Sequence, residues 1–241
     1  MDEARNYDPK TAHIFSIKKN RRNFVTKVLS LVSIQLLATI FIVTGVLSCP
    51  SLRLFLSNSP MLMIGVAILG LVSVLLMYFT ETFKNHVPYN FAALGVFTIC
   101  TSLGLSVDLE SVPTSIILTG LVFTFVLVGG LTSFCMLKKI EFRGFAPIGI
   151  IFGLQMVSFF LGLFFYHLTL ASLAISCIGA FIFSFYLVFD LQLILDGSKG
   201  AITMDDYIPA AVMIYTDIIE LFLKIVAIIS KLSEKDDDRD K

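Results

Sequence analysis

Six runs of about twenty apolar residues leave this chain few folds to choose from, because each run is long enough to cross the hydrocarbon core of a bilayer as a helix. They lie near 25–48, 61–80, 89–107, 113–136, 145–166 and 169–195, and a seventh, more charged run covers 208–230. Short connections join them. Cys49-Pro50 opens one, Val87-Pro88 another, and a third runs from Lys138-Lys139 to Arg143-Gly144. At membrane depth an open sheet would leave backbone groups unpaired, so the spans must be helical. The expected fold is an all-α integral membrane protein, a seven-transmembrane-helix bundle whose last helix either crosses or re-enters. A polar cytosolic segment (1–23), a membrane domain (24–230) and a charged tail (231–241) divide the chain.

Composition closes off the other classes. The 241 residues are 56% hydrophobic and 15% charged, against about 45–50% and about 25% in soluble domains. Eighteen Lys and Arg balance eighteen Asp and Glu, so no long-range field recruits a polyanion and nucleic acid is not an expected partner. About twenty polar residues precede the first apolar run, too many for the head of a cleavable signal peptide, so that run should remain as an anchor. Cys49, Cys100, Cys135 and Cys177 form no C-x-x-C pair and read as packing residues.

Orientation follows from basic residues in short loops. Arg5, Lys10, Lys18, Lys19, Arg21 and Arg22 precede the first span, and Lys138, Lys139 and Arg143 follow the fourth. The alternate connections hold Arg53 or no basic residue, which places the N-terminus in the cytosol. The C-terminus is ambiguous, since seven spans put it across the membrane while the tail carries Lys231, Lys235, Arg239 and Lys241. Tyr78, Tyr89, Tyr166 and Tyr207 stand near span ends, where an amphipathic ring suits the interface. The GxxxG of Gly149 and Gly153 and the pair Gly129-Gly130 suggest close helix packing.

Charge inside the spans is the informative signal. An ionised side chain at a helix centre costs roughly 2.5–3.5 kcal/mol on insertion scales, so each needs a partner or a task. Lys27, Asp190, Asp217, Glu220 and Lys224 are the residues concerned. Lys27 lies one turn into its span and can snorkel to the headgroups. The other four fall in the last two helices. The sixth span should stop at Asp196-Gly197, and the seventh should start at an N-cap, Asp206, with Pro209 in its first turn. Counted from the shared connection at 1.5 Å per residue, Asp190 is roughly 9 Å deep and Asp217 roughly 12–15 Å. Antiparallel neighbours would hold these carboxyls at similar depth.

Asp217, Glu220 and Lys224 share one stripe of the last helix, and Glu220 and Lys224 have the favourable i,i+4 order of a mutually neutralising pair. Two carboxylates in contact at low dielectric cannot easily both ionise, so Asp190 and Asp217 would share a proton, or a cation would replace it. Tight calcium storage wants six to eight oxygens. Two or three carboxylates, with Gln192 beside Asp190 and scattered Ser and Thr, fit a weak, transient calcium site instead.

The residues of these two helices, FDLQLILDG (189–197) and YIPAAVMIYTDIIELFL (207–223), resemble the signature of the transmembrane Bax-inhibitor-motif family in its Lifeguard branch. The resemblance extends to RRNFVTKVLSLVSIQLLAT (21–39), NHVPYNFAALGVFTICTS (85–102) and KKIEFRGF (138–145). It implies a seven-helix bundle of endoplasmic reticulum, Golgi or related membranes, a passive calcium leak from the store, and suppression of apoptosis. It also implies that the aspartates of the D-x-Q and Y-x-D-I-I motifs, here Asp190 and Asp217, form a pH-sensitive pair closing the pore. The chain departs from the family pattern in three places. Glu220 stands where asparagine is frequent, no Lys or Arg lies between Arg53 and Lys84, and Thr101 and Ser102 occupy a stretch of the third span where some relatives carry an acid.

The leading expectation is therefore a pH-sensitive calcium leak channel, not an enzyme, with no cofactor and with calcium as permeant ion. Its expected partners are the bilayer, calcium ions, and cell-death regulators or calcium-release channels. The alternative is a membrane adaptor that inhibits death signalling by protein contacts through its charged ends, without intrinsic conduction. An intramembrane aspartyl protease would also need two membrane aspartates, but neither lies in a G-x-G-D setting. A seven-span receptor fits poorly, because its loops are usually longer.

Overall fold

The computed structural model describes residues 9–80, 86–137, 170–196 and 206–237, and every regular element among them is a helix. In chain order these are α1 (Pro9–Ser48), α2 (Pro50–Ser57), α3 (Pro60–Phe79), α4 (Tyr89–Asp108), α5 (Thr114–Leu137), α6 (Leu170–Asp196) and α7 (Tyr207–Asp237). The fifth apolar run (145–166), with Gly149 and Gly153, lies outside the described residues, as does the basic connection before it.

Proline sets the phrasing. Every proline among the described residues either stands in the first turn of a helix or immediately precedes one. There its missing N–H costs nothing, since first-turn donors have no intrahelical acceptor anyway. The same ring forces the preceding residue out of helical conformation. Cys49, before Pro50, is extended at φ −110° and ψ 97°, which ends α1 and starts the short α2 within one residue. In the sequence alone this stretch reads as a plain connection.

Among the described residues five stretches are long and apolar enough to cross a membrane: Arg22–Ser48, Pro60–Phe79, Tyr89–Asp108, Thr114–Ser133 and Ile178–Leu195. Their outward faces are apolar as well. Phe41, Phe79 and Phe125 are 81%, 83% and 79% exposed, an arrangement that a bilayer tolerates and water does not. The chain is an all-helical, multi-pass membrane protein. α1 begins well before its apolar run, at Pro9, and α7 continues into the charged tail as far as Asp237.

α7 is the centre of the bundle. It packs against α1, α3, α4, α5 and α6, and α4 bridges α1 and α3. Ile208, Ala210, Ala211, Tyr215 and Leu221 on α7 are fully buried. The helix is unbroken for 31 residues, about 46 Å at 1.5 Å per residue. Central placement is what lets it carry Asp217, Glu220 and Lys224, because five neighbours screen most of its circumference from lipid.

Small residues set the close approaches, though not all where sequence suggested. A Cβ on Gly120 of α5 would lie 2.6 Å from Cγ2 of Val226 on α7, and one on Gly70 of α3 would lie 3.2 Å from Cβ of Cys100 on α4. Gly129 and Gly130 have nothing within 4 Å of a built Cβ, so that pair does not mark a helix contact among the described residues. Cys100 and Cys135 are buried and Cys49 is exposed, all as free thiols. At the far end of α1, Arg53 of α2 meets Glu110 at 3.7 Å, and Ser57 donates to the same carboxylate. This ties α2 to the α4–α5 turn.

Candidate functional site

α6 carries Asp190 in its last two turns, between Leu187 and Val188 on one side and Leu191 and Ile194 on the other, all at most 3% exposed. The apolar neighbours key α6 into the groove beside α7 and turn the aspartate inward, where it is itself only 9% exposed. α7 brings Asp217 to the same level, flanked by the buried Ile214, Ile218 and Leu221. The two carboxyls face each other and interact by a side-chain hydrogen bond. Carboxylates only accept, so this bond requires one proton held between them. Oδ2 of Asp217 has no hydrogen-bond partner.

A polar cluster lies where α3 ends and α4 and α7 begin. The Tyr78 hydroxyl, from the last turn of α3, donates to the Pro209 carbonyl of α7 at 3.4 Å. Lys27 of α1 does more than snorkel: its Nζ sits 5.6 Å from the centroid of the Tyr207 ring. The fully buried Asn90 donates from Nδ2 to the Tyr207 hydroxyl at 3.2 Å and accepts from the Phe91 N–H at 2.8 Å.

Glu220 and Lys224 do not form the expected ion pair. Among the described residues none joins them. Instead the Lys224 Nζ lies 5.7 Å from the centroid of the Phe183 ring on α6, and its stem passes over Gly179, where a built Cβ would stand 3.5 Å from Cδ. The glycine notch and the π face across the helix interface hold the lysine away from its own helix. Glu220 is left half-buried on the Asp217 stripe. Gln192 does not join the carboxyls either. Two residues along a helix is about 200° of rotation, and its buried amide has no hydrogen-bond partner at Nε2 or Oε1.

On the opposite side of α7 a buried polar seam joins α1, α4 and α7, which sequence reasoning missed. Gln35 donates from Nε2 to Thr98 at 3.1 Å, Ser102 donates to Thr39 at 3.1 Å, and the Thr39 and Tyr215 hydroxyls are 2.8 Å apart. Ser106 donates to the Ser102 carbonyl at 2.7 Å. The spacing of Thr98, Ser102 and Ser106, four residues apart on one face, carried the signal. Near this seam a cavity of about 700 Å³ between α1 and α5, lined by residues such as Val32, Leu36, Leu121, Phe125 and Ile218, reaches Thr39 but neither aspartate.

No group of three or more His, Cys, Asp or Glu among the described residues is placed to hold a metal ion.

A multi-pass helical bundle, with a buried Asp190 facing a half-buried Asp217 on the central helix, is the class that fold and site define. The chain belongs to the Bax inhibitor family: the family model described as "Inhibitor of apoptosis-promoting Bax1" matches residues 21–234. It is 29% identical over 220 residues to "Protein lifeguard 4" of Mus musculus, covering 89% of this chain and 87% of the relative. It is 30% identical over 217 residues to "Protein LIFEGUARD 4" of Arabidopsis thaliana, covering 86% and 84%. It is also 26% identical over 209 residues to "Protein lifeguard 3" of Homo sapiens, covering 85% and 67%. The family is one of membrane proteins and is not an enzyme family.

Proposed function

We propose that this protein is a pH-sensitive calcium leak of an intracellular store membrane, of the endoplasmic reticulum or Golgi, with its N-terminus in the cytosol. By lowering store calcium it suppresses apoptosis. The observation that carries the reading is the meeting of Asp190 and Asp217 across the α6–α7 interface at membrane depth. With one proton between them the carboxyls hold the two helices together. Loss of that proton leaves two like charges in contact at low dielectric, and they separate or take up a cation. Calcium leak should therefore rise with pH, and Asp190→Asn or Asp217→Asn should flatten the response by removing one partner's charge. Flux from the purified protein in liposomes tests this directly.

A second reading has one observation in its favour. The matching family description names inhibition of another protein and no ion. As a membrane adaptor the chain would bind cell-death regulators or calcium-release channels through its charged ends. Protection of cells by an Asp190→Asn/Asp217→Asn variant that no longer conducts would favour that reading over the leak.

A further inference from the structure

We propose that the buried polar seam between α1, α4 and α7 is the lining along which a hard cation crosses the bundle, with the Gln35 side-chain carbonyl as the ligand aimed into it. The proposal rests on the leak reading above and gives that leak its route, whereas the aspartates hold α7 from its other side.

Three observations carry it. First, Gln35 stands midway along the Arg22–Ser48 span and is 3% exposed, and its amide reaches into the seam, donating from Nε2 to Thr98 at 3.1 Å. Its Oε1 has no hydrogen-bond partner. Turning the amide over does not satisfy it, because the oxygen would then face Thr98, whose proton is already given to the Leu94 carbonyl at 2.8 Å. A seam that only joined helices would have met this oxygen, since a buried acceptor without a donor is costly.

Second, the hydroxyl protons of the seam are committed within it. Thr39 donates to the Gln35 main-chain carbonyl at 2.9 Å and Ser106 to the Ser102 carbonyl at 2.7 Å. Ser102 donates to the Thr98 carbonyl at 2.6 Å, with Thr39 as a second, longer acceptor. With the Thr39 proton so placed, the Tyr215 phenol is the donor in its 2.8 Å contact with Thr39. Hydroxyls held this way turn lone pairs towards whatever enters. Neutral hard oxygens suit a cation such as calcium, and an anion would find no hydroxyl free to donate to it.

Third, the oxygens form a track. Thr98, Ser102 and Ser106 recur every four residues, about 6 Å apart along α4. The next position of the register is Glu110, the carboxylate just beyond the helix that Arg53 and Ser57 meet. The track is shut in this structure, with Ser102, Ser106 and Tyr215 fully buried. Passage requires α1 and α4 to part along it. The unmet Oε1 eases that step, because an entering ion supplies the partner that the packed seam lacks.

Modification of introduced cysteines reads the route without relying on transport, and calcium flux from proteoliposomes is followed in parallel. In full-length Cys49→Ser protein in liposomes, Ser102→Cys changes one atom of the seam, and Ser73→Cys one atom of a comparably buried position on α3. The probes are two small methanethiosulfonates, one carrying an ammonium group and one a sulfonate, each scaled to its rate with a free thiol in solution. Ser102→Cys should react several-fold faster with the cationic probe than with the anionic one, and Ser73→Cys no faster than the Cys49→Ser parent. Gln35→Leu should lower calcium leak about ten-fold through loss of one contact to a charged group. A folded Ser102→Cys protein that neither probe modifies, or that both modify equally, overturns the proposal. So does a wild-type leak that Gln35→Leu leaves unchanged, and there the leak reading itself stands. Cation-selective modification of Ser102→Cys with no flux from any protein upholds the seam as a cation route and removes the calcium leak. Should Ser102→Cys fail to fold, Ser106→Cys takes its place with the same expected and overturning results.

Discussion

On the proposed reading Asp190 and Asp217 titrate as one unit, because neither would change its charge without changing the other's hydrogen bond. Glu220 lies one turn beyond Asp217, half-buried, and is not hydrogen-bonded to Asp190. Asp217→Asn should therefore change basal calcium leak and its pH dependence more than Glu220→Gln does. Equal effects in a flux assay, or none, would count against the paired-carboxyl account. The two aspartates were legible in the sequence because an ionisable group in an apolar run is costly, and the depth count placed them at one level. The disposition of Lys224 was not legible. Its i,i+4 spacing to Glu220 is a property of one helix, whereas the Phe183 ring and the Gly179 notch that hold it belong to another. Tyr78 escaped for the same reason: near a span end it reads as an interfacial anchor until the fold brings Pro209 to its hydroxyl.

At the scale of elements, glycine shows the same limit. Gly120 and Gly129-Gly130 sit in one apolar helix with nothing in the local sequence to rank them, yet α7 touches α5 at Gly120 alone among these three. Gly120→Leu should force α5 off Val226 and lower stability by about 1–3 kcal/mol, the usual cost of overpacking. Gly129→Leu should cost well under that. Thermal unfolding of the two variants in the same detergent compares them, and equal losses would mean that the α5–α7 contact does not set the packing. Helix existence was readable because apolar length and proline placement agree. α2 was not, since eight residues inside a connection give no periodic signal long enough to notice. The polar seam of Gln35, Thr39, Thr98, Ser102 and Tyr215 was half-readable: its period on α4 is plain, but which neighbour it faces is a tertiary fact.

Across the whole molecule the two ends differ in kind. One gathers Lys27, Tyr78, Asn90 and Tyr207 where α3 ends and α4 and α7 begin, and the other is tied by Arg53, Ser57 and Glu110. A cytosolic N-terminus puts the first end on the cytosolic side and Cys49, exposed at the far end of α1, in the lumen. In sealed vesicles with the cytosolic face outward, a membrane-impermeant maleimide should label Cys49 only after the membrane is opened, and Cys49→Ser should abolish that labelling. Labelling of intact vesicles at Cys49 would reverse the assigned orientation. The central claim is that a shared proton between Asp190 and Asp217 closes a calcium path. Calcium flux from proteoliposomes on either side of neutral pH, for the wild type, Asp190→Asn and Asp217→Asn, tests it most directly. The account predicts a wild-type flux that rises with pH and a response flattened in both variants; no flux from folded protein, or a pH response that survives both substitutions, would contradict it.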